Sequence, residues 1–166
     1  GVLNDIGVHA IDFIPWATGQ AIKTIVAARG WNATAPQHPE FQQCGQGMFT
    51  LANGAGVICD VSYLTPDSIG YQMPLYWRFT IWGTRGVLEA TYNSKTITVY
   101  KNGEPAAREV EPPAGKPGAY LESFLREIAG ETEGLHLSSK DVLKAARITL
   151  QLQEAADKGG RDVEVA

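Results

Sequence analysis

Cysteine is scarce in this 166-residue chain, with only Cys44 and Cys59, too few for the disulfide framework of a small secreted scaffold. Basic clusters are missing as well: 14 Lys and Arg stand against 18 Asp and Glu, a net charge of −4. Without a basic patch the electrostatic footprint of a nucleic-acid binder is absent. No apolar run is long enough to span a bilayer, and the first residues of the chain show no basic-then-apolar signal pattern. Gly1 need not be a native start. The serine-hydrolase elbow GxSxG does not occur. Gly45-Gln46-Gly47 begins like a dinucleotide fingerprint, but Thr50 occupies its third glycine position and the surrounding sequence reads as strand. What remains is ordinary globular material, 44% hydrophobic and 19% charged, long enough for one domain with a real core.

The two cysteines flank Asn53-Gly54, the strongest short hairpin signal available. A two-residue loop there would pair Met48 with Cys59 and Cys44 with Tyr63. The thiols would then lie roughly 13 Å apart at strand rise, too far for a disulfide. Two free, half-buried thiols point to a reducing compartment, and so to the cytoplasm.

Along the chain, helical periodicity runs from about Asp5, with Ile6, Ala10, Phe13, Ile14 and Ala17 as its core face and Gly19 as its stop. Pro15 should kink or end this helix, because it removes a backbone donor. Seven strand-like segments follow, about 21–31, 45–52, 55–64, 76–82, 87–92, 96–101 and 106–110, separated by turn signals such as Gly83-Thr84-Arg85-Gly86 and Asn102-Gly103. After the loop EPPAGKPG come two helices. The first has an apolar stripe of Leu121, Phe124, Leu125 and Ile128. The second begins with a capping box, Ser138 to Asp141, and places Val142, Ala145, Ile148, Leu152 and Ala155 on one face. Gly159-Gly160 ends it, and residues 163–165 can add an edge strand. The order implies an α+β two-layer sandwich: a mostly antiparallel, open-faced sheet with helices packed on one face. Tyr76, Trp77, Phe79 and Trp82 read as sheet-face packing; aromatics alternating onto the open face would need a partner subunit to cover them.

The first helix carries one feature that packing does not require. Asp5, His9, Asp12 and Trp16 fall within about 60° of arc on a helix that is otherwise apolar. Such a line suits a buried helix presenting a polar stripe to a cleft. Three readings are open: a structural histidine pinned by its i−4 carboxylate, a divalent metal held by the three side chains, or an acid–base pair in which Asp5 orients the imidazole. His38, between Pro36 and Pro39, and His136, between the last helices, read as loop residues without a visible partner.

The pattern G-x-x-x-D-x-G-x-H-x-x-D, here Gly1, Asp5, Gly7, His9 and Asp12, resembles the family of glucose–fructose oxidoreductase, inositol dehydrogenase and MocA. IWGTRGVLEA is similar to that family's late-sheet Gly-Thr-x-Gly turn. SSKDVLKAARITLQLQEAADKGGRDVEV is similar to its closing helix and final strand. The resemblance covers residues 1–166 as a single C-terminal domain of the dihydrodipicolinate-reductase-like kind. The family's N-terminal Rossmann domain, with its dinucleotide fingerprint and Glu-Lys-Pro lysine, has no counterpart in the chain.

The resemblance implies an NAD- or NADP-dependent oxidoreductase acting on a sugar, cyclitol or related polyol. In it His9 is the catalytic histidine that moves the substrate hydroxyl proton, Asp5 orients it or contacts the sugar, and Asp12 is a supporting acid. No cofactor-binding or metal-binding residue is implied in this chain. A homodimer or homotetramer through the open sheet face is implied. The competing reading is a non-catalytic assembly or ligand-binding module whose Asp-His-Asp stripe is structural.

Overall fold

A computed structural model describes residues 1–165. The contact pattern divides the chain into two compact units, residues 1–64 with 118–166, and residues 65–117.

The first unit opens with a π-helical turn, Leu3–Gly7, running directly into α1, Val8–Thr18. Gly19, at φ +66°, caps α1 by donating its N–H to the Pro15 carbonyl. The helix therefore continues one turn beyond Pro15 and stops at the expected glycine. Strands β1 (Ile22–Trp31), β2 (Cys44–Leu51) and β3 (Gly56–Ser62) follow. After the second unit come α2 (Ala119–Ile128), α3 (Ser139–Lys158) and β8 (Arg161–Glu164). The sheet order is β3-β2-β1-β8, with every neighbour antiparallel.

One face of this sheet is the core. Ile22, Ile25, Phe49, Leu51 and Cys59 meet Leu3, Ala10 and Ile11 from the first helical segment and Ala145, Ile148, Leu152 and Ala155 from α3. The other face is open, with Met48 and Ile58 exposed on it. This is the expected two-layer α+β arrangement with helices on one side. The Ser138 capping box is present in full, and β8 forms the expected edge strand.

Three details differ from the sequence reading. The Asn53-Gly54 hairpin has a three-residue loop: Leu51 N–H bonds the Ala55 carbonyl, Gly54 N–H bonds the Leu51 carbonyl, and Gly54 sits at φ +84°. The register consequently slips by one, pairing Cys44 with Ser62 and Gly47 with Cys59. A one-residue slip exchanges the faces, so Cys59 joins the core while Cys44 lies on the opposite side of β2; both thiols are free. In the first helix, the residues seated on the sheet are Leu3, Gly7, Ala10 and Ile11, with Ile14 packed against them, whereas Ala17 is exposed. Val2 and Leu3 lie upstream of the periodic segment yet set its phase, and Gly7 is buried in line with them without adding any hydrophobic signal. In α3 the buried face takes Thr149 in place of the exposed Val142.

The stripe on α2 forms as expected but is not covered. Leu121, Phe124, Leu125 and Ile128 are all exposed, and Ser123 is the buried residue of this helix. Polar contacts tie α2 down: the Glu127 carboxylate accepts from Ser139 N–H and Oγ, and Ser123 Oγ accepts from His136 N–H at 3.0 Å.

The second unit is a four-stranded antiparallel meander, β4 (Arg78–Gly83), β5 (Gly86–Thr91), β6 (Ile97–Lys101) and β7 (Arg108–Val110). Gly86 turns the first hairpin at φ +149°, where a Cβ would lie 2.0 Å from the Tyr100 carbonyl oxygen. Tyr76 and Trp77 precede β4 and join an aromatic cluster with Tyr71, Phe79 and Tyr92. Trp82 lies at an odd spacing from Phe79, on the opposite face of β4, and is 80% exposed.

Candidate active-site helix

The acid–histidine–acid line begins on the π-helical turn and continues on α1. Asp5, His9, Asp12 and Trp16 are all exposed, opposite the side built from Leu3, Gly7 and Ile11. The stripe is thus on the accessible surface of this chain, on a helix that is half buried rather than buried all round.

The position of that helix is fixed by a close approach to the sheet. A Cβ on Gly45 would sit 2.6 Å from Leu3 Cδ2 and 3.1 Å from Val2 Cγ1, so only glycine lets the turn seat itself on β2. The Val2 N–H also donates to the Gln42 carbonyl at 2.9 Å, tying the start of the turn to the loop before β2.

Asp5 has a partner that spacing did not reveal. Tyr63, just past the end of β3, donates its hydroxyl to Asp5 Oδ2 at 2.7 Å. Burial, the hydrogen bond to Asp5 and the negative charge of Asp5 together push the Tyr63 hydroxyl up to about 12, so it stays a donor at physiological pH. The Tyr63 ring stacks on Phe41, with centroids 5.7 Å apart and planes 9° from parallel. Tyr63 is 58 residues from Asp5, and the only signal for it was its place at the end of the hairpin.

The two glycines of the partial dinucleotide pattern have a packing role. Gly45 and Gly47 lie inside β2, and their missing side chains are filled by Leu3 and by the Phe49 ring and Leu152, respectively. They serve close packing rather than a phosphate cradle, which needs a strand-to-helix turn. Among the described residues, no group of three His, Cys, Asp or Glu side chains is placed to hold a metal ion. His38 and His136 lie in loops, as the sequence indicated. No helix among the described residues is long and apolar enough to cross a membrane.

With the sheet, its helices and the acid–histidine line described, the comparisons identify the family. Residues 1–89 match the model of the GFO/IDH/MocA C-terminal domain, and the chain belongs to that family. Among solved structures, it is 29% identical to a candidate oxidoreductase from Thermotoga maritima, covering 94% of this chain and 45% of that one at a TM-score of 0.76. An aldose–aldose oxidoreductase from Caulobacter crescentus, solved with glycerol, is 20% identical over 96% of this chain and 46% of its own, with a TM-score of 0.73. An oxidoreductase from Agrobacterium radiobacter, solved with NAD+, L-tartaric acid and magnesium, is 22% identical over 97% and 48%, with a TM-score of 0.70. The last two likenesses bear on the fold. The chain spans about half the length of these structures. No curated protein sequence matches it.

Proposed function

We propose that this chain is the substrate-side and assembly domain of an NAD- or NADP-dependent oxidoreductase acting on a sugar, cyclitol or related polyol. The observation that carries this reading is the exposed Asp5–His9–Asp12 line on a helix whose opposite side is locked to the sheet. Family membership supports it, as do the aldose and NAD+ in the names of two structural relatives. The redox chemistry would be supplied by the nicotinamide, held by a domain outside this chain.

The chain's own residues handle the proton. His9 accepts the proton of the substrate hydroxyl as the carbinol is oxidised and returns it in the reverse direction. Asp5, one turn earlier, orients the imidazole or accepts from a neighbouring hydroxyl of the substrate. Asp12, one turn later, supports the pair. The open sheet faces, with Ile58 and Met48 on one sheet and Trp82 on the other, would be covered by further copies of the chain in a dimer or tetramer. The two free thiols suit a cytoplasmic enzyme.

The test is coenzyme reduction by the full-length protein with NAD+ and NADP+ against a panel of aldoses, cyclitols and nucleotide sugars. Turnover with at least one member is expected, and a panel without turnover contradicts the proposal. The isolated chain should meanwhile show no saturable NADH fluorescence. Tight binding there would place the cofactor site in this chain.

A further inference from the structure

We propose that Tyr63 is a positioning residue for the acid–base helix, holding the Asp5 carboxylate in one orientation through its hydroxyl. This inference rests on the reading of Asp5 and His9 given above. Asp5 lies on an exposed surface, where an unrestrained aspartate would exchange freely among its rotamers. The 2.7 Å bond from Tyr63 engages Oδ2 and so sets the plane of the carboxylate. Oδ1 then presents its lone pairs in a fixed direction.

The tyrosine is itself built in. Its backbone N–H donates to the Gln43 carbonyl at 3.0 Å, extending the β2–β3 ladder by one residue beyond Ser62. Its ring packs parallel to and offset from Phe41, which restricts rotation about the side chain. Phe41 in turn belongs to a knitted loop. Asn32 Nδ2 donates to the Ala35 and His38 carbonyls at 2.7 Å each, and Phe41 N–H donates to the His38 carbonyl at 2.9 Å. Gln43 Oε1 accepts from Thr34 N–H at 2.8 Å, closing the loop against the start of β2. The hydroxyl is thus delivered from a rigid base onto a side chain that the helix alone would leave mobile. A misplacement of about 1 Å in such a constellation costs on the order of 100-fold in rate, which is the reason to hold a carboxylate from outside its own helix.

Tyr63→Phe removes the hydroxyl and keeps the ring stack. Three-bond couplings of Asp5, measured by NMR on this chain, should show one dominant χ1 rotamer in the wild type and averaging in the variant. The melting temperature should stay within about 3 °C. A single unchanged rotamer in Tyr63→Phe overturns the proposal. Phe41→Ala should loosen Asp5 to an intermediate degree, which a role confined to overall stability would not produce. An NMR titration of the Tyr63 ring adds a second check: Asp5→Asn should lower the hydroxyl from about 12 by the part that Asp5 contributes, while burial, the larger cause, keeps it above 10; a Tyr63 that Asp5→Asn leaves unmoved also overturns the contact. In the full-length enzyme, Tyr63→Phe should lower kcat on the order of 10-fold with the coenzyme KM unchanged; an unchanged kcat overturns the proposal. Wild-type protein without turnover contradicts the proposed function instead, and leaves the rotamer measurement to decide on Tyr63.

Discussion

At the scale of single residues, Gly45 connects the core to the chemistry. Its missing side chain is the space that Leu3 occupies, and Leu3 lies two residues before Asp5. Because Leu3 is fully buried, it has nowhere to retreat. Gly45→Ala should therefore cost about 1–3 kcal/mol in a denaturant titration, and should also disturb the Asp5–Tyr63 bond. Cys59 gives a titration prediction. Burial, and secondarily the charge of Asp60, push its thiol from 9 up to about 11. A raised folded value means that the contribution to stability is complete below the unfolded value and is lost as pH climbs through the folded one. Stability should fall between about pH 9 and 11, and Cys59→Ala should flatten that slope. Iodoacetamide should label Cys59 slowly at neutral pH in the folded protein, since the thiolate is the reacting form.

At the scale of elements, the two closing helices make opposite predictions. Leu152 on α3 is fully buried against Ile25 and Phe49 in the same core, and Leu152→Ala should cost about 2–5 kcal/mol. Phe124 on α2 belongs to a stripe just as clear in sequence, but it is exposed. Phe124→Ser should change the stability of this chain by less than about 0.5 kcal/mol. Periodicity reports that a helix is amphipathic; it does not report what covers the apolar side. The same limit explains the other departures. Strands, turns and caps were legible because Asn-Gly, Gly19, Gly159 and the Ser138 box act locally. The one-residue slip of the β2–β3 hairpin depends on whether Ala52 or Leu51 pairs with Ala55, a choice that the dipeptide Asn53-Gly54 leaves open. The rotation of the first helix depends on Val2 and Leu3 meeting a glycine more than forty positions away. Asp5, His9 and Asp12 were legible as a line because they are close in sequence, and Tyr63 was hidden because its partner is reached only through the fold.

At the scale of the whole molecule, the first unit is built from two stretches of sequence, and the second is inserted between them in the chain. Residues 65–117 leave after β3 and return before α2, while the final strand, β8, pairs with β1 from the other end of the sequence. The first unit is thereby closed only when both termini are in place, and removal of residues 161–166 should expose the β1 edge and lower its stability. The same arrangement leaves one sheet face of that unit open, with Met48 and Ile58 exposed on it beside the hydrogen-bonded pair Gln46 and Asp60. Sedimentation of the full-length protein should show a dimer or tetramer, and a species that stays monomeric at high concentration would remove assembly from the proposed role.

In the proposed reaction, His9 carries the proton for an oxidation completed by a cofactor outside this chain. Replacing His9 with alanine in the full-length protein and measuring kcat together with coenzyme affinity tests it most directly. A fall in kcat of about 100-fold or more is expected, with the coenzyme dissociation constant within about 2-fold of wild type. Turnover that survives the substitution unchanged would contradict it.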